Sequence, residues 1–288
     1  VALTDKQLRY VMNQEISRDA TFTGGTTIPN TITSNDIKSI PWVNLSAYYP
    51  MSTYTYTNAK DVSNNNNTAA LKNLTTVDRQ TAPLPYESVS NGQWQTASTW
   101  LNNTVQYLPN SLSIVDGVTP INWNIVKTSH NISSTGNKDL LGLFVNANTL
   151  TANNNSKIEI SHYLKLDGKI DLVDRSQLIQ ITNSDLDPTS TGSIERDQQG
   201  TKNVFNYNYW SSPVGAINST TNNNPYTVSG VMKDGTTTTP QNITWTSALS
   251  GSPTNPITLS SYWIFKFQNL TPMYANWTSV GTTGLLNA

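Results

Sequence analysis

The chain has 288 residues, 17 Lys or Arg against 18 Asp or Glu, a net charge of −1 and no cysteine. Disulfides, thiolate metal sites and Cys nucleophiles are therefore excluded. With 12% charged residues there is no basic stripe to neutralise the phosphates of a nucleic acid or an anionic membrane surface, and no apolar run approaches the roughly 18 residues of a membrane span.

Disorder pairs low hydrophobicity with high net charge. Here the charge is near zero and there are 8 Trp and 13 Tyr, so a folded body is expected. Its polar surface must come from Asn, Thr and Ser, which make up more than a third of the chain. Near the start, Leu8, Val11, Met12 and Glu15 lie at helical spacing and predict a short helix. From Thr21 to Pro50, Ile28, Ile32, Ile37, Ile40 and Trp42 punctuate loops and short strands. These are read as the cover of one end of a solenoid, because an exposed first winding would offer unpaired strand edges. Tyr54 and Tyr56 alternate with Thr55 and Thr57 as a strand does. Asn64–Asn67 is a low-complexity loop, and the prolines of Thr81–Tyr86 predict an extended connector.

The first windings are expected between Ile114 and Asn137, where Ile121, Trp123, Ile125 and Lys127 alternate, as do Ser129, Asn131 and Ser133. The stretch Leu140–Ile181 carries the strongest pattern. Short alternating pieces bounded by Asn, Asp or Gly read as strands, and they recur. Leu143–Val145 returns as Leu164–Leu166, Leu150 as Ile170, and Ile158–Ile160 as Leu178–Gln180, a period of roughly 20 residues that fits stacked coils. Three short strands per coil with Asn at the corners describe a parallel β-solenoid, right-handed by the chirality of β-crossovers. Asn146, Asn148 and Asn153–Asn155 are expected to bond to backbone and to one another along the stack.

Beyond Gln180 the pattern changes. Phe205, Tyr207 and Tyr209, then Tyr226, Val228 and Gly230, then Ile243, Trp245 and Leu249 each alternate. Ile257, Leu259, Trp263, Phe265 and Phe267 form the longest alternation. Four such strands predict an antiparallel sheet closing the second end. The fold class is therefore all-β, with a capping segment at 1–86, a solenoid at 87–200 and an aromatic-rich antiparallel region at 201–288. A first residue that is not Met, no leader, and an abrupt end at Leu286–Ala288 read as a processed product or fragment.

Several blocks carry a family resemblance. Gly92, Trp94, Thr99 and Trp100 spell G-x-W-x-x-x-x-T-W. Thr191–Thr201 reads T-G-S-I-E-R-D-Q-Q-G-T, and Asn206–Val214 contains Y-W-S-S-P. Ser261–Phe267 is followed by Tyr274 and Trp277. Over roughly residues 70–285 the chain resembles large surface proteins of gliding Bacteroidota exported by type IX secretion. The resemblance implies an extracellular adhesion or scaffold module linked to gliding, handled by secretion machinery during export, with a glycan or protein of the cell exterior as partner. Members of that family continue into further domains and a C-terminal sorting domain, and this sequence stops before either.

The residues themselves suggest several chemistries. A polysaccharide lyase or hydrolase needs paired carboxylates, or a metal with a base. The candidates are Glu159, Asp167, Asp171, Asp174 and Arg175 with Lys157, Lys165 and Lys169, whose bland reading is a solvated face of opposite charges. Asp185, Asp187 and Thr189 alternate before a Gly as calcium ligands do, although Pro188 suits a plain Asx-Pro turn better. His130 and His162 lie too far apart to share a zinc without further ligands, and His162 is expected at the surface or in a turn. No serine has an indicated acid–base partner. Trp263 and Phe265 are assigned to core. Trp210 and Trp277 are the candidates for sugar stacking. The reading favoured is a non-catalytic extracellular module without a required cofactor, with a sugar-active enzyme and a carbohydrate-binding module as its rivals.

Overall fold

The computed structural model describes residues 2–29, 40–50, 57–73, 75, 85–106, 108–122, 124–182, 184–201, 203, 205–212, 224–268 and 277–287. Ile32, Ile37, Tyr54–Tyr56 of the expected strand, most of the Thr81–Tyr86 connector, Trp123, Pro213, Val214 and Tyr274 lie outside them. The chain divides into two compact units, Val1–Arg196 and Asp197–Ala288. The segment expected as a separate cap thus belongs to the same unit as the solenoid.

The solenoid is parallel throughout. One sheet is built from Tyr86–Glu87, Ile125–Thr128, Lys138–Val145, Lys157–Leu166 and Gln177–Gln180, with Asp185–Leu186 also paired to Lys157–Leu166. The other is built from Gly92–Gln93, Ile132–Thr135, Thr149–Asn153, Lys169–Leu172 and Ser193–Arg196. About four windings occupy residues 125–196. The register is the one the repeat predicts: Leu143 lies beside Leu164, Leu150 beside Ile170, and Ile158 beside Leu178. Three segments per coil are only partly separate. Lys157–Leu166 is one strand whose register slips between Ile160 and Tyr163, so two expected strands run together through an irregularity that re-aims the side chains.

Alternation sends Leu140, Leu143, Val145, Leu150, Ile158, Ile160, Leu164, Leu166, Ile170 and Leu172 inward, all buried in one core. Asparagines hold the corners by reaching the backbone of the neighbouring winding. Asn131 Oδ1 accepts from the Thr149 amide at 3.1 Å, Asn137 Oδ1 from Lys157 at 3.0 Å, and Asn155 Oδ1 from Arg175 at 3.1 Å. Asn148, Asn154 and Asn155 adopt positive φ, which Asn tolerates better than most residues.

The first winding is plugged by the two-tryptophan block. Trp94 and Trp100 are buried in the solenoid core, with ring centroids 5.1 Å apart and nearly perpendicular. Trp100 Nε1 donates to the Trp94 carbonyl at 2.8 Å and Thr99 Oγ1 to the Gln93 carbonyl at 3.0 Å. A Cβ on Gly92 would meet Thr99 Oγ1 at 2.3 Å, so each fixed residue of the block has a packing reason. One inward position is unusual. Lys138 stands where the next two windings carry Ile158 and Leu178. Its ammonium donates to the Thr135 and Gly136 carbonyls at 2.6 and 3.0 Å, and lies 5.9 Å from the Trp94 ring centroid.

The N-terminal segment lies along the side of the solenoid. Tyr10, Ile28 and Ile40 cluster with Ile125, Leu141 and Tyr163, which come from three successive strands of one sheet. The expectation of an end cap is corrected here, and the reason is local. Leu140 and Leu141 are both apolar, so one faces the core and the other needs covering from outside. Gly142 makes room, since a Cβ there would meet Ile28 Cδ1 at 3.3 Å. The predicted helix is Asp5–Met12, closed by a capping box between Thr4 and Gln7. It buries Gln7 and Tyr10, while Leu8 and Met12 are 45% and 59% exposed. Tyr10 wins the inner face because its hydroxyl donates to the Ile28 carbonyl and accepts from the Gly25 amide. Just before the low-complexity loop, Asp61 accepts from the amides of Tyr48, Ser63 and Asn67 and from Ser63 Oγ. Burial alone would raise its carboxyl, but these bonds bring it down to about 2.

Asp197–Ala288 is assembled from two-stranded pieces. Tyr226–Thr227 pairs with Leu285–Leu286, Lys233–Asp234 with Gln241–Asn242, and Phe265–Phe267 with Trp277–Ser279, all antiparallel. Thr244–Thr246 and Thr258–Ser260 pair in parallel. The single antiparallel sheet expected of four long alternations is therefore corrected. The longest alternation is broken by a 3₁₀ turn at Ser261–Trp263, and the run from Val228 is a short helix, Val228–Val231. Among the described residues of this unit only Asp234 and Ile243 are buried.

Candidate functional site

The charges of the solenoid form rungs between windings. Lys157 Nζ lies 3.1 Å from Asp139 and 2.8 Å from Glu159. Past the irregularity, Lys165 Nζ lies 3.2 Å from Asp167 and 3.7 Å from Asp187. On the other sheet Lys169 Nζ lies 2.7 Å from Glu195, whose neighbour across the pair of strands is Asp171. Asp174 sits at a corner with φ 56°, and Arg175 beside it is exposed. The residues weighed for sugar chemistry are thus divided between two sheets and a corner, and five of them are held in ion pairs.

The Asp185–Thr189 loop is taken up by its own neighbours. Asp185 is in the short strand Asp185–Leu186, beside Tyr163. Asp187 Oδ1 accepts from the Thr189 amide and hydroxyl at 2.7 Å, an Asx turn, and its Oδ2 accepts from the Tyr163 hydroxyl. Lys165 Nζ donates to Thr189 Oγ1 at 2.7 Å, so an ammonium already faces these oxygens. Burial alone would raise the Asp187 carboxyl, but the Tyr163 and Thr189 bonds hold it below its ordinary value. Burial, then Asp187, pushes the Tyr163 phenol well up. Among the described residues, no group of three or more His, Asp or Glu side chains is placed to hold a metal ion, and no helix is long and apolar enough to cross a membrane.

His162 corrects the expectation of a surface or turn position. It is buried inside the strand Lys157–Leu166, with its ring centroid 5.9 Å from that of Tyr10. The cause is the N-terminal segment, which covers that face. His130 has a partner the sequence did not indicate. Ser88 Oγ lies 2.9 Å from His130 Nδ1 and accepts the Ser129 amide at 2.9 Å. The two residues are 42 positions apart, and only the long first winding brings them together.

In the second unit the aromatic residues stand out from the surface. Trp263 and Phe265, expected in a core, are 54% and 40% exposed. Among the described residues no second sheet layer covers their run. Trp210 and Trp277, the sugar-stacking candidates, are 45% and 46% exposed. Trp277 pairs with Phe267 across the hairpin, with ring centroids 5.4 Å apart, and Tyr209 approaches its ring to 6.1 Å. Sequence reasoning missed Tyr209 and Phe267 as its companions, because periodicity tells which residues share a face and not whether that face is covered. No family model, curated protein or solved structure matches the chain.

Proposed function

We propose that the chain is a non-catalytic structural and adhesion module of the cell exterior, a stiff solenoid joined to an aromatic unit that makes attachments. One observation carries this reading: four of the solenoid's lysines, Lys127, Lys157, Lys165 and Lys169, are each held by a carboxylate of a neighbouring winding. A catalytic centre needs groups kept free, or shifted towards the working pH, in one place. Tyr163 is shifted away from use as a base, which also speaks for structure. The resemblance to surface proteins of gliding Bacteroidota supports the exterior setting and a role in attachment or gliding, with export through dedicated secretion machinery. A sugar-active enzyme is the competing reading.

The test is incubation of the full chain with a panel of polysaccharides, followed by measurement of new reducing ends and of unsaturated products. No release above the background of a heat-treated sample is expected. Release that disappears in Asp167→Asn would overturn the reading. Antibody labelling of intact source cells tests the placement; labelling only after permeabilisation would overturn it.

A further inference from the structure

We infer that Tyr209, Phe267 and Trp277 form a binding platform for a single uncharged glycan chain. This deepens the adhesion reading by naming the partner's chemistry.

The argument starts from the hairpin Phe265–Phe267 with Trp277–Ser279. Its register sets Phe267 opposite Trp277 and Lys266 opposite Thr278. Side chains alternate between faces, so Phe265, Phe267 and Trp277 share one face and Lys266 is on the other. Phe267 is 60% exposed and Tyr209 71%. Apolar rings grouped in the open mark a contact surface. Tyr209 is held in place: Gln198 Nε2 donates to its carbonyl at 3.0 Å, and Asn208 Oδ1 accepts the Thr201 amide at 2.8 Å. The rings are thus mounted on hydrogen-bonded backbone, which lowers the ordering cost of binding.

Charge decides the occupant. Asp197–Ala288 has five charged residues, Asp197, Lys202, Lys233, Asp234 and Lys266, among twelve aromatic ones. Of these Asp234 is buried, and Lys266 faces away from the rings. On the ring face the register places Ser279 opposite Phe265, so the group beside the rings there is a neutral hydroxyl. Rings that cover C–H faces, beside neutral donors and acceptors, match a sugar chain without carboxylates or sulfates. Geometry narrows it further. The Trp277 ring is inclined 43° to Tyr209 and 65° to Phe267, so the three cannot lie on one flat crystalline face. They can follow a separate, twisting chain.

The test is affinity electrophoresis of the full chain in gels containing soluble β-glucan, xyloglucan or dextran, with alginate and polygalacturonate as charged controls. Retardation by at least one uncharged polysaccharide and none by the charged ones is expected. The double variant Tyr209→Ala/Trp277→Ala should bind about tenfold or more weakly, with an unchanged far-UV circular dichroism spectrum. Should that variant fail to fold, the wild-type chain still answers. Bound polysaccharide should protect Trp277 from N-bromosuccinimide, read by peptide mass spectrometry, while Trp263 stays reactive. Silence across the uncharged panel, stronger retardation by the charged gels, or equal oxidation of Trp277 with and without polysaccharide would overturn the proposal. Release of sugar products would instead count against the non-catalytic reading and leave the platform standing, so the two failures can be told apart.

Discussion

The two units use the same amino-acid alphabet differently. Val1–Arg196 holds 30 charged and 14 aromatic residues, while Asp197–Ala288, under half as long, holds 5 and 12. In the solenoid windings of the first unit the large apolar side chains go inward, and most of the lysines pair with carboxylates on the outside. In the second the rings go outward, from a stretch that holds only five charged residues. Alternation of apolar and polar residues is present in both. What differs is the presence of a second layer. A solenoid supplies its own opposing sheet with every turn, so each inward Leu or Ile meets partners from the same winding and the next. A two-stranded hairpin has nothing of the kind, and its apolar face remains open unless something binds it.

The largest expected effect tests that difference directly. Leu164→Ala removes a fully buried side chain from the centre of the stack and should cost about 3 kcal/mol. Trp263→Ala removes a larger side chain that is mostly in solvent, and should cost less than about 1 kcal/mol. Urea denaturation followed by circular dichroism separates the two. If Trp263→Ala were the costlier, the second unit would have a core and the comparison would fail. A smaller effect is expected at the corners. A Cβ on Gly192 would lie 2.0 Å from the Gly168 carbonyl oxygen, whereas one on Gly235 has nothing within 4 Å. Gly192→Ala must push two windings apart and should cost about 2 kcal/mol. Gly235→Ala should change stability by less than about 0.5 kcal/mol.

The same contrast governs what could be read in advance. The winding is legible because a period of about 20 residues writes the register into the sequence: Leu143 with Leu164, Leu150 with Ile170 and Ile158 with Leu178 are each seen twice. Where the chain meets a surface only once, the pattern misleads. Leu8 and Met12 have helical spacing but Tyr10 has the hydrogen bonds, and His162 looks like a turn residue until the N-terminal segment covers it. Trp277 could be named as a sugar-stacking candidate from its setting. Tyr209 and Phe267 could not, because their approach depends on a hairpin register and on a loop 68 positions away. Ser88 and His130 meet for a similar reason, across a winding lengthened by an insertion that no repeat announces.

Lys138 is a charge at an inward position of the stack, where the next two windings carry Ile158 and Leu178. Lys138→Met keeps the length of the side chain but leaves the Thr135 and Gly136 carbonyls without their donor. A cost of about 1–2 kcal/mol is expected. The pH dependence sharpens this. Burial lowers the Lys138 pKa below its ordinary 10.5, against the opposing pull of Asp139. The unfolded chain then takes up the proton first as pH falls, so this residue's contribution to stability falls from pH 10.5 down to the folded value and is flat below it. Raising the pH towards 10.5 should therefore widen the wild type's advantage over Lys138→Met, as read from paired urea midpoints. A gap that narrows would mean the carbonyls favour the ammonium more than burial opposes it.

The smallest effect concerns the rungs themselves. Lys169 and Glu195 are 2.7 Å apart with side chains 32% and 27% exposed, so solvent screens them and each freezes a long side chain to meet the other. A double-mutant cycle with Lys169→Ala and Glu195→Ala should give a coupling below about 1 kcal/mol, shrinking in salt. The rung at Lys165 is different in degree. Its side chain is 17% exposed and faces both Asp167 and Asp187, so the coupling of Lys165 with Asp187 should exceed that of Lys169 with Glu195. The order matters more than the size. If the rungs are weak and graded by burial, the stack owes its stability to its apolar interior, and the ion pairs serve to leave the outside electrically quiet. A coupling at Lys169 larger than the one at Lys165 would detach the charges from that role and remove a support of the proposed structural function.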